Sequence, residues 1–165
     1  MRIGVVADTH LPKKGQHLPD QLVAGLRGCS LILHAGDWTS LAVYELLQAL
    51  APVQGVYGNV DEPAVKERFP ALLRFSLEGY QIGVVHGHEG KGRSTPERAL
   101  GAFQDQPVDL VIFGHSHIPL LEEREGVLLF NPGSPTDKRR EATFSYGIIE
   151  LTASGIKAWH ERFLP

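Results

Sequence analysis

Cysteine is almost absent from this sequence. Cys29 stands alone, so no internal disulfide can form and neither a Cys-x-x-Cys pair nor a zinc ribbon is available. Inert packing is the role expected for it. Long apolar runs are missing too, none approaching the ~18 uninterrupted residues of a membrane helix. The opening Met1-Arg2-Ile3-Gly4 lacks a signal peptide's charged head and cleavage site, so a cytoplasmic protein with no membrane attachment is expected. No charge of one sign dominates. The formal net of −3 and the lack of an aromatic-basic groove pattern disfavour long nucleic acids as partners. Basic residues come instead in short clusters, Lys13-Lys14, Lys91-Gly92-Arg93 and Lys138-Arg139-Arg140. Each reads singly as solvated loop charge; their positions leave a local anion-attracting rim open.

With 42% hydrophobic residues in 165, one compact domain over 1–165 is expected. Apolar runs at Arg2 to Ala7, Leu31 to Leu33, Val53 to Val56, Ile82 to Val85 and Leu110 to Phe113 read as strands buried on both faces. Helical periodicity marks Leu18 to Leu26, Leu41 to Leu50 and Glu62 to Phe69, with Ser40 as N-cap and Pro52 as stop of the second. Alternating strand and helix implies right-handed parallel βαβ units. The later half reads as three hairpins, turning at Glu78-Gly79-Tyr80, at Glu125-Gly126 and at Thr152 to Gly155. A parallel beginning and an antiparallel end suggest an α/β fold with two packed sheets flanked by helices.

Each of the five buried strands runs into a polar cluster. These are Asp8-Thr9-His10, Gly36-Asp37, Gly58-Asn59, His86-Gly87-His88 and Gly114-His115-Ser116-His117. In an open α/β sheet such strand ends share one crevice. On extended backbone, residues two apart point to one side, so Asp8 with His10, and His115 with His117, can each aim two donors at one space. Two aspartates, an asparagine and at least four histidines are the ligand inventory of a pair of divalent metals held by mixed oxygen and nitrogen donors. That inventory points to metal-assisted hydrolysis. His34 precedes Gly36-Asp37 and is expected to hydrogen-bond behind Asp37 and orient it. His17 and His160 belong to no cluster and read as surface or structural residues.

The order Asp8-x-His10, Gly36-Asp37, Gly58-Asn59, His86, Gly114-His115-x-His117 resembles the calcineurin-like metallophosphoesterase superfamily over almost the whole chain. Small size, Gly58-Asn59-Val60-Asp61 and Asn131-Pro132-Gly133-Ser134 make the resemblance nearest to its compact bacterial and archaeal, YfcE-like phosphodiesterase branch. The resemblance implies a four-layer αββα sandwich of two mixed sheets. It implies one metal on Asp8, His10, Asp37 and His117 and a second on Asp37, Asn59, His86 and His115, with Asp37 bridging. Manganese is the first expectation, with iron, nickel and zinc as alternatives. A hydroxide bridging the metals would then attack a small phosphoester, more readily a diester than a monoester. It also implies that the Asn131 to Pro135 loop lies beside the metals. Many relatives carry a histidine after the Gly-Asn pair; here it is Val60, which can transfer no proton. His88 is the first candidate to contact the phosphate or leaving group in its stead, with Asp61 as another compensating group behind the ligands. The alternative is a non-catalytic scaffold, since the superfamily's retromer subunit keeps this fold and also lacks that histidine. Homo-oligomerisation stays open.

Overall fold

A computed structural model describes residues Met1–Pro165. Strands β1 (Arg2–Val6), β2 (Leu31–His34) and β3 (Val53–Gly55) alternate with helices α1 (Asp20–Leu26), α2 (Ala42–Gln48) and α3 (Pro63–Arg68). The hairpin β4 (Leu72–Leu77) and β5 (Tyr80–Val85) follows, then α4 (Thr95–Gly101), β6 (Leu110–Ile112), and the hairpins β7 (Leu120–Arg124) with β8 (Val127–Asn131) and β9 (Phe144–Thr152) with β10 (Gly155–Phe163). One five-stranded sheet runs β10-β9-β1-β2-β3 and the other β4-β5-β6-β8-β7. Both are mixed.

Period-two alternation divides each strand between two cores. Ile3 and Val5 face the second sheet, where they meet Ile82, Val84, Leu110, Ile112 and Phe130. Val6 and Ile32 face outward onto Leu22, Leu26, Val43, Leu47 and Val65 of α1, α2 and α3. On the far side, Ala99 of α4 and Phe103 cover Val111 and Leu129. The layers are therefore helix, sheet, sheet, helix, as the expected αββα sandwich requires.

Two features differ from the sequence reading. The later half is not purely antiparallel, because β6 pairs in parallel with both β5 and β8. The crossover that permits the β5–β6 pairing is α4, a helix not expected from the sequence, and β7 carries the chain back to let β8 run parallel to β6. The signal of the helix is the capping box Ser94-Thr95-Pro96-Glu97, in which the Ser94 hydroxyl accepts from the Glu97 N–H and proline occupies the first turn. The apolar residues of α4 are too few for periodicity to reveal it.

Candidate metal centre

Register brings the carboxyl ends of the strands to one edge. In the first sheet Val6 lies opposite His34, and His34 opposite Gly55. Beyond the strands the ladder continues, Asp8 N–H donating to the Gly36 carbonyl and His10 N–H to the Asp37 carbonyl. In the second sheet Gly114 N–H donates to the His86 carbonyl. The two sheets meet at Gly114, where a Cβ would lie 2.9 Å from both Ala7 Cβ and Asp8 Oδ2. A side chain there would wedge the two halves of the site apart.

The expected residues converge in two groups. Asp8, His10 and His117 form one, and Asp37, His86 and His115 the other, each with its donor atoms within 4.8 Å of one another. Asp37 Oδ2 lies 3.0 Å from His86 Nε2 and 3.8 Å from His10 Nε2, so one carboxylate oxygen stands between the groups. Asn59 Oδ1 joins the second group, 3.1 Å from His86 Nε2. Donors bound at ~2.1 Å to a common ion stand about 3 to 3.5 Å apart. The observed separations match that spacing closely enough for small side-chain shifts to complete it.

Convergence is reached by a route different from the one expected. Asp8, His10, Asp37, His115 and His117 all have positive φ, between 49° and 71°, so neither tripeptide is extended. Left-handed backbone on a residue with a Cβ costs about 1–3 kcal/mol and persists only where surroundings enforce it. Here it turns each side chain sharply off its strand end. It also splits His115 from His117, which serve different groups.

Hydrogen bonds to backbone carbonyls set the histidine tautomers. His86 Nδ1 is 2.7 Å from the Ala35 carbonyl and His117 Nδ1 is 2.6 Å from the Asp137 carbonyl. A carbonyl can only accept, so each Nδ1 carries hydrogen and each Nε2 faces the site. His34 does not touch the Asp37 carboxylate, contrary to expectation. Its Nδ1 accepts from Gly36 N–H, its Nε2 meets the Thr9 hydroxyl, and its ring stacks on Trp38. Orientation of Asp37 falls instead to Asp61, whose carboxylate accepts from the N–H groups of Asp37, Thr39 and Gly58. Burial raises the Asp61 carboxyl, and the three N–H groups it accepts from pull against that rise.

Comparison with known proteins bears directly on this geometry. Residues 1–154 match the calcineurin-like phosphoesterase superfamily domain. The chain belongs to that superfamily. It is similar to a probable metallophosphoesterase of Methanothermobacter thermautotrophicus, 39% identical over 140 residues that span 84% of this chain and 80% of that one. A phosphodiesterase of Methanocaldococcus jannaschii is 28% identical over 149 residues, 81% of this chain and 83% of the other. Among solved structures, wild-type Vps29 of Entamoeba histolytica complexed with zinc shares the fold, with TM-score 0.79 at 22% identity over 98% of this chain and 99% of that one. These relatives place the chain in the compact archaeal and bacterial branch of the metallophosphoesterases.

The electrostatics of the phosphoesterase fit a bound cation. Both carboxylate oxygens of Asp8 are buried without a hydrogen-bond partner, and burial pushes this carboxyl up to about 7. A buried carboxylate without a hydrogen bond is costly unless a cation meets it, and the ring nitrogens of His10, His86 and His117 stand 3.7 to 3.9 Å from Asp8 Oδ1, beyond hydrogen-bond reach and around one space. Asp37 behaves oppositely: burial alone would raise it, but the His86 hydrogen bond and charge outweigh that and hold it at about 2. Burial lowers His115 and His117 to about 4, which keeps their lone pairs free for ligation.

Several residues support the donors from behind; among them Thr136 carries no sequence signal of its own. The Ser134 and Thr136 hydroxyls donate to the Asp8 carbonyl, and Thr136 also to that of Thr9. Asn131 Nδ2 donates to the Gly114 carbonyl and to Ser116 Oγ. The Asn131 to Pro135 loop thereby lies behind Asp8 and braces the strained strand ends on which the donors sit. His88 stands at the rim of the second group, its ring 5.3 Å from that of His86 and its Nδ1 buried without a partner. Arg98 ties the His88 loop down by donating to the Gly87 and Gly92 carbonyls.

Proposed function

We propose that this phosphoesterase is a dinuclear enzyme that hydrolyses small phosphodiesters, with Asp8, His10 and His117 holding one metal and Asp37, Asn59, His86 and His115 the other. The observation that carries this reading is the pair of donor groups with the Asp37 oxygen between them and the Asp8 carboxylate unpaired beside it. Two divalent cations, manganese first among them, would neutralise phosphate oxygens, align the attacking and leaving groups and acidify a water. The chain's own residues have distinct tasks in that scheme. Asp61 and the Val60 N–H, which donates to Asp37 Oδ1, hold the Asp37 carboxylate in place. The carbonyls of Ala35 and Asp137 keep His86 and His117 in the ligating tautomer. His88 offers a ring nitrogen to the phosphate or the departing oxygen, the task that Val60 cannot perform. Without a strong acid at that position, alkoxides that leave poorly should react ~10²–10⁴-fold less readily than activated esters.

A scaffold without catalysis is the second reading. Val60 favours it, standing 49% exposed beside the site where a proton donor would serve an enzyme, as does the similarity to fission yeast Vps29, 28% identical over 141 residues. Against it, a scaffold has no use for an unpaired buried Asp8. The deciding experiment measures manganese-dependent hydrolysis of an activated diester and its matching monoester by wild type, Asp37→Ala and His86→Ala. Turnover of the diester that both substitutions abolish supports the enzyme. Stoichiometric metal binding with no turnover on any phosphoester supports the scaffold. For His88→Ala, a loss greater on poor than on good leaving groups assigns it to the departing oxygen; an equal loss assigns it to the phosphate.

A further inference from the structure

Two basic clusters far apart in sequence meet on the His117 side of the site. Lys14 follows the His10 turn and reaches Asp137 Oδ2 at 3.7 Å, and Asp137 in turn holds His117 through its carbonyl. The segment Lys138-Arg139-Arg140 continues from there. It is pinned at both ends: Asp137 N–H donates to Ser134 Oγ, and Glu141 N–H and the Lys138 ammonium close a tight turn across Lys138 to Glu141. Arg139, at the turn's apex, has a left-handed φ of 48°. Neither Arg139 nor Arg140 has a hydrogen bond or ion pair within the protein, whereas Lys138 and Lys14 are engaged. The charge of Arg139 nevertheless reaches Asp8, His10 and His117.

Beside them opens a groove of about 360 Å³ that His117 itself lines, with Ser116, Ile118, Arg139, Arg140 and Glu141 along its walls. Its lining residues include three cations, Lys138, Arg139 and Arg140, against one carboxylate, Glu141, so the net charge along the groove is positive. Ile118 is 53% exposed at the same place, an apolar surface within reach of the cations. The volume is at the small end for ligand sites: room for a sugar phosphate, too little for a polymer. A free guanidinium fork suits the paired oxygens of a phosphate.

We infer that this groove binds a second phosphate of the substrate, so that the preferred substrates are small phosphodiesters carrying a further phosphate on one of their esterified alcohols. The inference rests on the phosphodiesterase reading above. In it the reacting phosphate lies over the two donor groups, the body of the alcohol covers Ile118, and the second phosphate pairs with Arg139 and Arg140.

The test compares two chromogenic diesters, the p-nitrophenyl esters of a nucleoside 5′-phosphate with and without a 3′-phosphate. Wild type should prefer the 3′-phosphorylated substrate in kcat/KM by about 10- to 100-fold, the worth of a charge-assisted hydrogen-bonded pair. That preference should lie mainly in KM, shrink on raising salt from about 50 to 500 mM, and fall to near one in the Arg139→Gln/Arg140→Gln variant. Calorimetry supplies a readout independent of turnover: a nucleoside 3′,5′-bisphosphate should bind wild type more tightly than the 5′-monophosphate, and bind the variant no more tightly. Equal kcat/KM for both diesters in wild type, or a preference untouched by the double substitution, overturns the inference and leaves the phosphodiesterase reading standing. Absence of metal-dependent hydrolysis of either diester sinks that reading instead.

Discussion

Replacing Asp8 by asparagine should strengthen the metal-free protein and destroy its response to metal. Asp8 is wholly buried, neither of its carboxylate oxygens has a hydrogen-bond partner, and its carboxyl is pushed up to about 7 by burial against the opposing charge of His86. In the unfolded chain it returns to about 3.9. Because the folded value is the higher one, Asp8 favours folding only while protonated, and that advantage is lost as pH rises from about 4 through 7. Above pH 7 the full penalty applies, about 4 kcal/mol at ~1.4 kcal/mol per pH unit. Asparagine removes the charge but leaves a buried amide unpaired, which returns about 1–3 kcal/mol of the gain. A net stabilisation of about 1–3 kcal/mol is therefore expected at pH 8 in chelator, read from urea denaturation. Saturating manganese should reverse the order. Ion at ~1,000 times its dissociation constant stabilises wild type by about 4.1 kcal/mol, and the variant, short of a ligand, by far less. If Asp8→Asn proves less stable than wild type in chelator yet still gains stability from manganese, Asp8 is not an unpaired charge awaiting a cation and the reasoning fails.

Three other substitutions probe the supports. Asp61→Ala strands the N–H groups of Gly58, Asp37 and Thr39 and should cost about 3–6 kcal/mol, while Asp61→Asn, which places an NH₂ against a donor, should cost less; reversal of that order in thermal melts would count against the role given to Asp61. Gly58→Ala puts a Cβ 2.1 Å from Asp37 Oδ1, so metal affinity should drop by at least ~10-fold, measured by calorimetry, and an unchanged affinity would show that the Asp37 carboxylate is not held where it ligates. In the metal-free protein, burial depresses His86, but its hydrogen bond to Asp37 and the charges of Asp8 and Asp37 prevail and lift it to about 8. Its contribution, about 2 kcal/mol, should be complete below pH 6.5, disappear as pH rises through 8, and be missing from His86→Gln in a stability–pH series.

The elements legible in sequence were those whose signals are local. Apolar runs marked β1, β2, β5 and β6 because both faces of each are covered, and β3 although it is an edge strand with Gln54 exposed; glycine turns marked three hairpins because a reversal demands them. Helix α4 escaped because seven residues with few apolar positions have no readable period, and with it went the parallel pairing of β6 with β5. His34 looked like a partner of Asp37 from adjacency alone; its ring instead turns toward Thr9 and Trp38, while Asp61, expected behind the ligands, holds the Asp37 backbone.

Residue order alone determined which donor types stand at five strand ends, and that a cation-binding chemistry is open to them. It carried no distances. Which donors gather in one group, that Asp37 lies between the two groups and that Asp8 is left without a hydrogen bond were decided only when two sheets stacked and brought strand ends more than a hundred residues apart within 4 Å, His117 Nε2 and Asp8 Oδ1 at 3.7 Å among them. The same stacking enforces the left-handed backbone at the donors and gathers Lys14 with Arg139 and Arg140 on one rim. Such conformations are unfavourable locally, so no short stretch of sequence can announce them; only the packing free energy of the whole sandwich sustains them.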